Sequence, residues 1–546
     1  MTANPEKPFI YILLAVFVLL GVPVAPANAL EWPQEVEAPE GKVIVYQPQP
    51  ESLEGNVLTG RAAISLELKG AEEPEFGAIW FRSRIETDRD AGTVLIRDVS
   101  ITDARWSDAT DDQVAKLRQV LEAAVPGAGF ETSLERLSST LEESRSELQS
   151  QLELNTDPPV IVFREELAVL LLYDGEPRFG DIENSDYQRA LNTPFAVARD
   201  GKGKSLYLSS GTFWYRAEDP MGPWNPIDRP PEDLAKAVPD QEPDPSAPDR
   251  PPAIVTANQP TELVVTDGKP RWKSLPGGDL LYVENTETPW VRELESNRMF
   301  LLLSGRWFHA DHQDGPWNFI RSDELPESFS QIPPDSDIGG LRVSVAGTDE
   351  ANDALKDAQV PQTAAIRRDS AKLEVEYDGK PRFESIPGTD MQYAVNSATQ
   401  VLWIDGKYYA VDDGVWFVAD SQNGPWKLAD SIPQEKISRI PPDSPVYNTT
   451  YVRVFDSTPE VVYVGYYPGY LWSFPYYGVP VYGTGWYYPP YWGGVYYPRH
   501  PTWGFHVGYN SWSGWNFGMS WSNGFFSFGV SWGAGRPGGY LSLIHI

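Results

Sequence analysis

The sequence predicts a mainly β protein: an N-terminal α+β domain, three repeated antiparallel β-meander modules, and a low-complexity aromatic/Gly tail that carries a hairpin. Three observations lead there. Two short motifs recur as a pair three times in the middle of the chain. Apolar runs of four to six residues are cut repeatedly by the 45 Gly and 50 Pro, a strand-and-turn pattern. The composition changes abruptly after residue 450: residues 451–546 hold 30 of the 69 aromatic side chains and 17 Gly, with three Arg against two acids.

Taken in chain order, residues 1–29 read as a secretory signal peptide. Lys7 precedes an apolar run from Phe9 to Val22, and Ala27-Asn28-Ala29 offers a cleavage site. The run is shorter than the ~20 residues a spanning helix needs, an uncleaved anchor being the alternative. Residues 30–157 form the N-terminal α+β domain with a helical spacer. Strands are expected at residues 42–46, 63–68 and 93–96. A helix is expected over 113–124, with Val114, Leu117, Val120 and Leu121 on one face, and a second from about 134 to 152.

The repeats follow, at 158–250, 251–360 and 361–450. Each opens on Asp-Gly-(Glu/Lys)-Pro-Arg-(Phe/Trp), beginning at Asp174, Asp267 and Asp378. Each closes on Gly-Pro-Trp, ending at Trp224, Trp317 and Trp426. From the first Gly of the pair to the second is 47, 47 and 45 residues, and another Trp stands ten residues before each closing one, at Trp214, Trp307 and Trp416. In the third copy Asp405-Gly406 joins two apolar runs and suits a type I′ turn, because both central residues need positive φ. The Pro-rich stretches at residues 241–248, 332–335 and 440–443 read as extended, solvated linkers.

The tail spans 451–540. Residues 463–497 are rich in Tyr, Pro, Gly and Trp and are expected to be irregular. Around Asn523-Gly524, Trp515, Phe517, Met519 and Trp521 alternate with small polar residues, as do Phe526, Phe528, Val530 and Trp532. A hairpin there would pair Trp521 with Phe526 and Trp515 with Trp532, and its apolar face needs a partner. Residues 541–546 match translated transposon-end sequence used in preparing sequencing libraries and are expected to be foreign to the natural chain.

Charge and composition exclude several functions. With 77 acidic against 44 basic side chains the formal charge is -33, which repels phosphate backbones, so no nucleic-acid partner is expected. Zero Cys removes disulfides, thiol nucleophiles and zinc fingers, and five His make a His-built metal site improbable. Neither a catalytic set, a metal site nor a cofactor is expected. A Cys-free exported chain points to a bacterial envelope: periplasm, outer membrane or cell surface.

The chemistry that remains is aromatic. Indole and phenol rings on a rigid sheet stack on the apolar C–H face of a pyranose. The candidate carbohydrate-binding residues are Trp214, Trp224, Trp307, Trp317, Tyr408, Tyr409, Trp416 and Trp426. The same Trp can instead be module core, and alternation on a strand allows only one of Trp307 and Phe308 inside a one-sided sheet. Gly406-Lys407-Tyr408-Tyr409-Ala410, Gly414-Val415-Trp416-Phe417 and Gly424-Pro425-Trp426 resemble the short Tyr/Trp pattern of chitin- and cellulose-binding modules of families V and XII. The whole arrangement is similar to bacterial envelope proteins carrying that label. The resemblance implies a non-enzymatic, exported protein whose β-repeats bind polysaccharide or another envelope glycan. The change of composition after residue 450 leads to a further expectation, that residues 451–540 associate with the outer membrane or with themselves. The alternatives are an envelope scaffold with no glycan ligand and, third, an envelope glycan hydrolase.

Overall fold

The computed structural model describes most of residues 33–519. Residues 1–32, 138–151, 238–248 and 520–546 lie outside the description, as do several shorter stretches, and of residues 505–519 only strand pairing is described. The expected signal peptide, most of the expected second helix, the expected 241–248 linker and the expected return strand at 526–532 therefore fall outside it.

The chain is mainly β, as the alternation predicts. The N-terminal domain is a seven-stranded antiparallel sheet, in the order Gln34–Ala38, Gly41–Val45, Val57–Leu68, Glu75–Asp88, Thr93–Trp106 and Phe130–Ser133, with Gln49–Glu54 added on Val57–Leu68. One face buries Val43, Leu58, Ile64, Ile79, Phe81, Ile85 and Val94. The helix Asp111–Ala124 closes that face with Leu117, Val120 and Leu121.

Each repeat is a six-stranded antiparallel meander: Phe179–Asp181 through Asn225–Ile227, Trp272–Ser274 through Asn318–Ile320, and Phe383–Ser385 through Lys427–Leu428. Asp405 and Gly406 have φ of 50° and 81°, the left-handed pair a type I′ turn requires. The Gly-Pro bond of Gly-Pro-Trp is cis in all three copies.

The first and second repeats are joined by strand pairing. Val160–Arg164 pairs in parallel with Thr261–Val265, and Ala168–Leu172 with Ala253–Ala257, so strands preceding the first and second meanders tie the two together. Ahead of the third meander, Gln362–Arg367 pairs with Val461–Tyr466, which pairs in turn with Val452–Ser457. That small sheet docks on the N-terminal domain. The Thr87 and Arg89 amides donate to Thr363 Oγ1 and Gln362 Oε1 at 2.8 Å each. Arg84 pairs with Asp456 and lies 4.5 Å over the Tyr463 ring.

Two expectations are corrected. The 332–335 and 440–443 stretches are not solvated linkers: Ile332 and Ile440 are buried, and the 3₁₀ turns that follow, Gly339–Ser344 and Tyr447–Tyr451, fold back over their meanders. Nor is the tail from 451 a separate, irregular material. Ser473–Tyr476 pairs with Val479–Tyr482, and Trp472, Phe474, Tyr476, Val481, Tyr482 and Tyr488 share one buried cluster with Leu402 and Trp416 of the third meander. The segment lacks charge because it is interior.

This strap, residues 472–503, runs between modules. It meets the second meander at Arg306, whose guanidinium donates to the Tyr482 and Gly483 carbonyls at 2.7 and 2.6 Å. Ser304 Oγ donates to the Thr502 carbonyl at 2.7 Å, and Trp503 packs 5.8 Å from Phe308. A Cβ on Gly305 would stand 2.6 Å from the Pro480 carbonyl oxygen, so only glycine admits the strap there. On the third meander the strap is held by Arg499, which donates to the Val395 carbonyl at 3.0 Å. Beyond it, Gly514–Met519 pairs with Phe505–Asn510 on its N-terminal side, setting Trp515 opposite Tyr509 and Phe517 opposite Val507.

His500 stacks on Trp472 at 4.6 Å and 3°, shares a hydrogen bond with the Tyr482 hydroxyl, and is pushed down to about 3 by desolvation. The imidazole is neutral in the fold, whereas the unfolded chain takes up its proton near pH 6.5. Its contribution is therefore complete above about pH 6.5 and is lost as the pH falls toward 3. The urea midpoint is expected to fall between pH 7 and pH 4, and less steeply in His500→Gln. Equal slopes would contradict the assignment.

Candidate functional site

The eight predicted aromatics do not form an open platform. Trp307 and Trp416 are fully buried, Trp224 and Trp317 are buried, and Trp214, Trp426, Tyr408 and Tyr409 are half-buried. The Trp307 indole N–H donates to the Ser344 carbonyl at 2.7 Å, and that of Trp416 to Val452 at 3.1 Å. The closing Trp are tied locally: Trp224 donates to Pro220 at 3.2 Å and Trp317 to Gln313 at 3.1 Å. Tyr409 packs edge-on to Trp416, and Tyr408 to Phe383.

The reason is that both faces of the second and third meanders are covered. Trp307 and its strand neighbour Phe308 are both at 0% exposure, against the expectation that only one could be inside. Phe329 and the Gly339–Ser344 turn close the Trp307 face, and Trp503 and Phe319 close the other. In the first module Tyr215 is buried and its hydroxyl donates to the Pro252 carbonyl at 2.9 Å, while Trp214 on the opposite face stays half-open.

The opening motif presents a polar turn at the surface. Asp-Gly sets up the turn, with Gly175, Gly268 and Gly379 at φ of 78°, 77° and 77°. An Asn eighteen residues after each Asp holds it from behind, a residue the sequence reading passed over although the spacing is identical in all copies. Asn192 Nδ2 donates to the Asp174 and Glu176 carbonyls at 3.0 and 2.9 Å, and Arg178 N–H donates to Asn192 Oδ1 at 2.9 Å. Asn285 and Asn396 repeat all three bonds. Asn192 and Asn396 are fully buried. Asn396→Ala is expected to cost about 1–3 kcal/mol, the penalty for stranded buried groups, and half-buried Asn285→Ala less. Urea unfolding of the two variants checks the ranking.

With the turn fixed, the motif Arg points outward: Arg178, Arg271 and Arg382 are all exposed. The strap covers two of them. Its hairpin, Tyr491–Trp492 with Tyr496–Tyr497, is wedged between the first and third turns. Arg178 stacks 3.4 Å over Trp492 and Arg382 lies 5.6 Å over Tyr491. The Val495 amide donates to Asp378 Oδ2 at 3.1 Å. Next to the wedge Trp486 and Tyr487 are 39% and 45% exposed, and the Tyr487 hydroxyl is pushed up to about 12 by burial and by Asp174. Among the described residues no group of three His, Asp or Glu is arranged to hold a metal ion; His309 is half-buried against Phe300.

Comparisons with protein-family models, with curated proteins and with solved structures found no match to this chain.

Proposed function

We propose that this chain is an exported, non-enzymatic structural scaffold of the cell envelope, in which parallel strand pairs, the small sheet of residues 362–367 and 452–466, and the strap bind three meander modules and an N-terminal sheet domain into one assembly. The observation that carries it is the burial of four of the six frame Trp, Trp224, Trp307, Trp317 and Trp416. A residue repeated because each module needs a core requires no ligand to explain it. Export rests on the N-terminal sequence. The test is tryptophan fluorescence of the purified chain. Emission is expected to be blue-shifted, largely shielded from acrylamide, and unmoved by cellulose, chitin or peptidoglycan. Open quenching, or co-sedimentation with a polysaccharide that Trp426→Ala abolishes, would return the frame to a binding role.

Trp486 and Tyr487 favour a second reading, glycan binding at a place other than the frame. They are adjacent, exposed rings, and the Tyr487 hydroxyl lies near the Asp174 carboxylate. In that case polysaccharide retention is lost in Trp486→Ser with Tyr487→Ser and kept in Trp426→Ala.

A further inference from the structure

The three opening turns are built alike, but among the described residues only two carry an aromatic side chain from the strap on their Arg. The first holds Trp492 and the third Tyr491, both from the strap. On the second, Arg271 donates through Nε to Glu284 Oε1 at 3.0 Å and through a terminal nitrogen to the Asp267 carbonyl at 3.5 Å. Both bonds lie in the guanidinium plane, which leaves its flat faces available for a ring. The Arg271 side chain is 57% exposed and Lys269 beside it is exposed as well.

The path of the chain says what reaches this turn. The strap leaves the described core at Trp503, which is buried in the cluster that includes Val264, Trp290 and Trp317 and against which Trp272, the last residue of the second turn, packs. Residues 520–540 follow downstream. They hold Trp521, Phe525, Phe526, Phe528, Trp532 and Tyr540, and Arg536 is their one charge. That is the uncharged aromatic character of the segment seated on the sister turns. A ring is attracted to a guanidinium face by its quadrupole, which favours that seat for a segment already tethered nearby.

We infer that the second turn, Asp267 to Trp272, is a docking site for an aromatic side chain of residues 520–540 of the same chain, seated on Arg271 as Trp492 is on Arg178.

Because the chain has no Cys, one introduced thiol is unique. The experiment places a benzophenone maleimide on Lys269→Cys in the full chain, with Lys380→Cys on the third turn as the reference. Irradiation is expected to join position 269 to residues 520–540 at monomer mobility, and position 380 to residues 491–497. Adding Arg271→Gln is expected to lower the first product at least fivefold and leave the second unchanged. Trp521→Ser with Trp532→Ser, which alters the occupant and not the site, is expected to lower the first product as well. Products from position 269 outside 520–540, a yield indifferent to Arg271→Gln, or a product joining two chains would each overturn the assignment, the last by making a second copy the occupant.

Discussion

Trp307→Ala and Trp416→Ala are each expected to destabilise their modules by about 3–5 kcal/mol, the cost of emptying a fully buried indole site. Neither residue has any exposed surface, and each donates its N–H to the segment that closes over it, at Ser344 and Val452. Truncation removes the ring and strands that carbonyl, and Phe329 loses its edge-on partner 5.1 Å from Trp307. Half-buried Trp214 and Trp426 should tolerate the same change with a smaller loss. The measurement is the urea midpoint of each variant in the full chain. If all the frame variants unfold alike and near the parent, the indoles are not the core of their modules.

Arg306→Ala is expected to cost a comparable amount, about 3–5 kcal/mol, and to act at a distance in sequence. Arg306 is 1% exposed, its nearest charge-assisted bonds are to backbone carbonyls of the strap, and burial pushes it down to about 10, so it is still charged at neutral pH. Removing it leaves the Tyr482 and Gly483 carbonyls buried without their donor, at about 1–3 kcal/mol each, and opens a cavity beside Trp503. Arg306→Lys keeps the charge without the fork and should recover only part of the loss. Arg367→Ala, whose ion pair with Asp369 is 70% and 68% exposed, should leave the urea midpoint close to the parent's. Limited proteolysis distinguishes the cause: new cleavage in Arg306→Ala should fall within residues 472–503. Cleavage confined to the second meander would mean that Arg306 supports only its own sheet.

The meanders were legible because their signals are local. Asp405-Gly406 names its own turn, Gly-Pro-Trp recurs at fixed distance, and the helix face of Leu117, Val120 and Leu121 repeats at helical spacing. What was not legible depends on partners far along the chain. Trp307 and Phe308 could both be interior only if something covers each face, and those covers, Ser344 and Trp503, come from elements that resemble a linker and a low-complexity tail. Arg306 follows a Ser-Gly turn and looks like a surface cation until residues 176 positions later are laid against it. The Asn latch was available in the spacing, but an Asn in a polar loop carries no hydrophobic period to draw notice.

The strap is synthesised after the meanders it completes. Between Arg306 and Tyr482 lie 176 positions, which a ribosome covers in roughly 10–35 s. Over that interval the second sheet, and the third once residues 383–428 have been made, lack the material that finishes them and keep an apolar flank open. Consolidation of the second and third modules is thereby deferred until the strap has been made.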